Sequence, residues 1–117
     1  MPAAGLASWG KTTVLDMGSS TIHTINIPLN LSGATLNTLD AALWWPERAT
    51  QPHNDIDLRL IDPAGTVRAT SDSGPSVFER ARVSGPIASG SWTLQIRGYD
   101  VPTGSQDVYW TAYVRRS

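Results

Sequence analysis

Apolar and polar residues alternate with a period of two along most of this chain. The alternation is clearest in four segments: Ile25 to Leu31, Ile56 to Leu60, Trp92 to Ile96 and Val108 to Val114. Because successive side chains of a β-strand point to opposite faces of its sheet, this period indicates strands with one buried face. The same reasoning predicts a further buried face formed by Leu39, Ala41, Leu43 and Trp45. The pattern therefore predicts a chain built from strands, with no helix longer than one or two turns.

Turn-forming residues divide the chain at intervals of roughly eight to twelve residues, which is the spacing of turns in all-β sandwiches. Asp62-Pro63-Ala64-Gly65 is typical of a type I turn, a turn is expected at Ser32-Gly33, and 46–54 and 71–76 are expected loops. Pro28 has no N–H to donate, so its strand is expected at a sheet edge. Gly98 to Val101 is predicted as a separate strand. About eight strands result, which favours a two-sheet antiparallel β-sandwich or jelly roll.

Length and charge limit the classes of protein that the chain can represent. It has 117 residues, no Cys and a formal net charge of -1. We predict a single domain over 1–117, with a core sandwich over 21–114 and with 1–20 as an N-terminal extension or a first edge strand. Without a basic excess, binding of nucleic acid or an anionic membrane is not expected. Without cysteine, disulfide frameworks, thiolate zinc sites and cysteine nucleophiles are excluded.

Catalytic side chains are sparse. The two histidines are His23, within a predicted strand, and His53, within a predicted loop, and neither accompanies a nucleophile turn. Glu47 and Glu79 are the only glutamates, and the sequence places no pair of carboxylates across a cleft. We therefore predict a chain that is not an enzyme.

The run Asn54-Asp55-Ile56-Asp57 is the best candidate for a metal site. Asp55 and Asp57 are two apart on a predicted strand, so they project from one face next to an oxygen-rich loop, and calcium prefers such ligands. Asp72 and Glu79 join them only if the fold brings their loop alongside. In the alternative reading, Asp55 caps the turn and Asp57 pairs with an arginine of a neighbouring strand: Arg59, Arg80 or Arg82.

Five tryptophans are many for a chain of this length. By strand phase, Trp45, Trp92 and Trp110 belong to the core, whereas Trp9 and Trp44 are candidates for exposure. Exposed tryptophan rings can stack on sugars or on peptides, and the competing role is packing within the core or between domains.

A series of motifs runs in order from about Leu39 to Val114, with weaker agreement from Thr21 to Leu31. The motifs are Leu43-Trp44-Trp45-Pro46, Asn54 to Leu60, Asp62-Pro63-Ala64-Gly65, Glu79, Gly90 to Ile96 and Gly98 to Pro102. Together they resemble the C-terminal β-jelly-roll domain of secreted subtilisin-like serine proteases. That family is similar to pre-peptidase C-terminal and proprotein-convertase P domains, so the expected fold is a P-domain or galactose-binding-like jelly roll. Trp92 stands where the family commonly has Tyr, and the peptidase domain itself is missing.

The resemblance implies an extracellular, non-catalytic accessory domain with a jelly-roll fold. Its expected partner is the peptidase domain of the same polypeptide, on which it would dock, and it would stabilise that domain or help bind protein substrate. Some relatives bind calcium, which would fall on Asn54, Asp55 and Asp57. The alternative function is a carbohydrate-binding or surface-adhesion jelly roll, for which a flat exposed pair of tryptophan rings would be diagnostic, and a weaker one is a structural domain of a surface protein.

Overall fold

The computed structural model describes residues 6–16, 22–31, 36–48, 50–72 and 77–116, and within these ranges it contains eight β-strands and no helix. The described residues accordingly contain no membrane-spanning helix. The expected turn at Ser32-Gly33 lies outside the described residues, as does 73–76 of the expected polar loop. The strands are β1 (Leu6–Leu15), β2 (His23–Leu31), β3 (Leu36–Trp44), β4 (Asp55–Ile61), β5 (Val67–Ser71), β6 (Phe78–Pro86), β7 (Gly90–Asp100) and β8 (Ser105–Arg116).

The strands form two four-stranded sheets, and all neighbours are antiparallel. The order in the first sheet is β1-β8-β3-β6, and the order in the second sheet is β2-β7-β4-β5. Of the pairs of adjacent strands, only β4 and β5 are consecutive in the sequence. The chain therefore crosses repeatedly between the two sheets, as in a jelly roll. The predicted all-β, two-sheet jelly roll is thus confirmed. Pro28 lies on β2, an edge strand, as expected.

The core lies between the two sheets and consists of the apolar phase of each strand. Among the largest fully buried side chains are Trp45, Trp92, Leu43, Leu58 and Leu94. Trp110 is also buried, whereas Trp9 is 76% exposed and Trp44 is 38% exposed. The tryptophans therefore divide between core and surface as their strand phase predicts.

Glycines account for two differences from the pattern. The predicted separate strand from Gly98 to Val101 is wrong, because β7 runs without a break from Gly90 to Asp100. Gly98 lacks a side chain where β1 comes close, since a Cβ there would clash with Val14 Cγ1. Gly10 likewise interrupts the apolar alternation of β1. It lies beneath the ring of Trp110, and a Cβ on Gly10 would be 2.9 Å from the nearest ring atoms.

Candidate functional site

Four carboxylates at one corner of the sandwich lie near enough for their charges to interact. Asp55 and Asp57 share the outer face of β4, Asp72 follows β5, and Glu79 lies on β6. The pairing of Leu58 with Ser71 brings the end of β5 alongside this part of β4. We call Asp55, Asp57, Asp72 and Glu79 the acidic cluster. Asp72 and Glu79 thus do lie beside the two aspartates singled out from the sequence.

The pKa values of Asp55 and Asp57 are raised within the acidic cluster. Asp57 is only 8% exposed, and burial together with the negative charges of Asp55, Glu79 and Asp72 raises its pKa to about 6. Burial also raises the pKa of Asp55 above its ordinary value, with His53 opposing this and Asp100 and Asp72 adding to it. Carboxylates this close resist simultaneous ionisation because like charges repel in a partly desolvated site.

The cation that faces Asp57 is Arg97, its cross-strand neighbour on β7, which lowers the pKa of Asp57 but does not outweigh burial. Arg80 and Arg82, which the alternative reading offered as partners, instead bind Asp40. That part of the alternative reading is wrong, because β6 carries both arginines on the outer face of the other sheet.

Asn54 belongs to a different network. Its side chain is fully buried, and its Nδ2 donates to Gln106 Oε1 at 2.7 Å and to Thr103 Oγ1 at 2.9 Å. Its Oδ1 accepts from the Thr103 hydroxyl at 3.2 Å. The Asn54 amide therefore ties β4 to the β7–β8 connection, apart from the acidic cluster. Within the described ranges, no three His, Cys, Asp or Glu side chains form a ready-made metal-binding arrangement.

Glu47, which the sequence did not single out as a site residue, organises the loop before β4. Its carboxylate accepts from Trp45 Nε1 at 2.9 Å and from the Asn54 N–H at 2.8 Å, and it pairs with His53 Nδ1 at 2.8 Å. Burial opposes ionisation of Glu47, but these three hydrogen bonds outweigh it and lower its pKa. His23 is also structural, because its Nδ1 accepts from the Leu15 N–H and links β1 to β2. Both histidines thus make contacts that hold loops and strands.

The outer face of the first sheet carries a cluster of aromatic side chains. The strand register aligns Lys11, Tyr109, Trp44 and Phe78 in one row across all four strands. The next rows are Trp9, Thr111, Ala42 and Arg80, and then Ala7, Tyr113, Asp40 and Arg82. We call this surface the aromatic face. Phe78 is 50% exposed and Tyr113 is 44% exposed, so large apolar surface meets solvent here.

Small side chains open a hollow near the centre of the aromatic face. Its volume is about 320 Å³, and its lining includes Ala42 and Thr111 with Phe78, Arg80 and Tyr113 around them. Beside it, the Trp44 and Tyr109 rings stack with centroids 6.1 Å apart and planes 21° apart. The hollow is large enough for one or two side chains of a partner molecule.

Arg80 borders the hollow, and it shares the carboxylate of Asp40 with Arg82. Arg80 donates to Asp40 from Nε at 3.0 Å and from Nη2 at 2.8 Å, and Arg82 donates from Nε at 3.2 Å and from Nη2 at 3.0 Å. Hydrogen bonding to Arg80 is the main reason that the pKa of Asp40 lies below its ordinary value. The two guanidinium groups are therefore held in place while remaining more than half exposed.

Comparison with known proteins supports the fold. No protein-family model matches the chain, and no curated protein matches it. The structure of the Yersinia pseudotuberculosis-derived mitogen resembles it with a TM-score of 0.61 and 17% sequence identity, over 100% of this chain and 88% of the mitogen. A chain of the cyanophage Pam1 capsid asymmetric unit resembles it with a TM-score of 0.51 and 16% identity, over 97% of this chain and 86% of that one. At such identity the likeness concerns architecture, and the chain is a jelly-roll β-sandwich.

Proposed function

We propose that this chain is a non-catalytic accessory domain of an extracellular subtilisin-like serine protease. It docks on the peptidase domain of the same polypeptide and stabilises it, or helps that domain to engage protein substrate. The motif series from Leu39 to Val114 supports the family, and the aromatic face is the observation that carries a docking function. Docking stabilises a partner by mass action because the contact exists only when both domains are folded.

The composition of the aromatic face supports binding to a protein. Tryptophan, tyrosine and arginine are the residues enriched at the energetic centres of protein interfaces. Single apolar residues on a surface are ordinary, but contiguous apolar surface marks an interaction site. Here Trp9, Trp44, Phe78 and Tyr113 lie exposed on one sheet face, next to Arg80.

A carbohydrate-binding module is the second candidate, because Trp9 and Trp44 are exposed on the same face. β8 lies between their strands, so the two rings are not direct neighbours. One side of the Trp44 ring also stacks against Tyr109, which removes that side from contact with a sugar. This arrangement favours the protein-docking proposal over a flat sugar-binding platform.

We also propose that the acidic cluster binds calcium through Asp55 and Asp57, joined by Asp72 and Glu79. Burial, together with the neighbouring carboxylates, raises the pKa of Asp57, and a divalent cation would offset both effects by supplying positive charge. Carboxylate oxygens are the ligands that calcium prefers. Because these carboxylates do not form a ready-made site, binding would draw them together. The Asn54 side chain would have to leave Thr103 and Gln106 to become a ligand, so we place the site on the carboxylates.

The docking proposal is tested with the coding sequence that flanks this domain. A peptidase domain with an Asp, His and Ser triad encoded in the same reading frame is expected. That protease is then produced with and without this domain, and the half-life of its activity is measured on heating. The proposal predicts a shorter half-life without the domain. Absence of a peptidase domain from the same polypeptide, or an unchanged half-life together with unchanged turnover of protein substrate, would contradict it.

A further inference from the structure

The aromatic face has an electrostatic character that restricts its partner. Among the described residues, its charged side chains are the cations Lys11, Arg80, Arg82 and Arg115 and the anions Asp40 and Asp107. Four positive charges against two negative charges leave a net charge of +2 on this face, although the whole chain has a formal net charge of -1. The aromatic face is thus positively charged, whereas the chain as a whole has a small net negative charge.

The arginine pair has hydrogen-bond donors left after it binds Asp40. Each guanidinium donates hydrogen bonds to Asp40 from Nε and Nη2. Neither Nη1 group makes a hydrogen bond within the described ranges. Two guanidinium groups on one carboxylate keep a local excess positive charge. Because Asp40 already orients both side chains, little rotamer freedom remains to be lost when a partner binds.

We propose that the aromatic face is the docking surface, and that its partner is an acidic and apolar patch on the peptidase domain. An apolar side chain of that patch enters the hollow above Ala42 and Thr111, and a carboxylate beside it accepts hydrogen bonds from Arg80 and Arg82. This inference rests on the proposed function, which it deepens by naming the surface and the chemistry of the partner.

The test compares matched substitutions on the two sheets. Trp9→Ser and Arg80→Glu alter the aromatic face, while Tyr99→Ser and Arg68→Glu alter exposed residues of the second sheet. Trp9 is 76% exposed and Tyr99 is 63% exposed, so neither change removes a core contact. Binding of each purified variant to the separately purified peptidase domain is measured by isothermal titration calorimetry, and circular dichroism melting checks that each variant is folded.

Weakening by about tenfold or more is expected for Trp9→Ser and for Arg80→Glu, with both control variants within about twofold of the unaltered chain. Binding of the unaltered chain that neither aromatic-face variant weakens would overturn the docking surface while leaving the proposed function standing. Failure of the unaltered chain to bind would overturn both. Tryptophan-dependent retention on insoluble polysaccharide, or a dimer of this chain that Trp9→Ser dissociates, would overturn the stated partner.

Discussion

Replacing Asp57 with asparagine should make the domain more stable at neutral pH. Asp57 is nearly buried, and the groups around it are Asp55 on its own strand, Asp72 after β5, Glu79 on β6 and the opposing Arg97 on β7. Its ionised form is therefore unfavourable in the folded state compared with the unfolded chain. The substitution Asp57→Asn would keep the size of the side chain and remove the charge.

The pKa of Asp57 gives the expected size of this effect. It rises from the ordinary value of 3.8 to about 6 on folding. Between these two values the folded state holds a proton on Asp57 that the unfolded state has released. The contribution of Asp57 to the free energy of unfolding is therefore fully present below about pH 4 and is lost as pH rises through about 6. Roughly two pH units at about 1.4 kcal/mol each make a loss of about 3 kcal/mol in the free energy of unfolding.

The measurement is urea unfolding of both proteins in the presence of chelator, followed by the fluorescence of the buried Trp45 and Trp92, from about pH 4 to about pH 7. The variant should exceed the unaltered chain by up to about 3 kcal/mol near pH 7, and the two should converge near pH 4. Asp107→Asn is the control, because Thr13 and Lys11 lower the pKa of Asp107 and the expected change has the opposite sign. Parallel stability profiles for the Asp57 variant and the unaltered chain would refute the reasoning.

Other substitutions and conditions test the core, the sheet contact, the metal proposal and the lack of catalysis. Trp92→Ala removes a fully buried ring and the 2.8 Å hydrogen bond to the Ala88 carbonyl, so denaturant unfolding should show a loss of roughly 3–5 kcal/mol. Gly98→Ala places a Cβ against Val14 and should cost about 1–3 kcal/mol, and a neutral effect would disprove the close approach of β1. Calcium should raise the melting temperature of the unaltered chain, by about 2.7 kcal/mol of stability at a hundredfold excess over Kd, and should not do so for Asp57→Ala. An equal shift in both would place the ion elsewhere. The purified domain should turn over no peptide, ester or glycoside substrate, and turnover that one substitution within it abolishes would overturn this.

The sequence predicts the strands that have one fully apolar face. In β4, β7 and β8, the apolar residues recur at every second position because the opposite sheet covers that side, so phase alone separates core from surface. Periodicity does not predict β1, because Ser8, Gly10 and Thr12 carry no large apolar side chain in the phase of the strand that leads to the buried Val14. Its inner face carries no signal that periodicity can detect.

The candidate sites were predicted in part, for a related reason. Alternation shows that Asp55 and Asp57 share a face, but the proximity of Asp72 and Glu79 depends on how β5 and β6 meet at the edges of the two sheets. Strand phase likewise suggests that Trp9 and Trp44 are exposed. Only the order β1-β8-β3-β6 places them on a common face with the aromatic residues of β6 and β8. The sequence alone does not predict which residues become neighbours across strands, because almost all paired strands lie far apart in the sequence.

Oxidative footprinting of surface side chains tests the central claim most directly. The domain is labelled briefly with hydroxyl radicals, alone and within the whole protease, and the oxidation of each aromatic residue is quantified by mass spectrometry. The aromatic face should be protected in the whole protease at Trp9, Trp44, Phe78 and Tyr113, while Tyr99 on the second sheet should react equally in both samples. Equal labelling of Trp9 and Phe78 in the isolated domain and in the protease would contradict docking through this face.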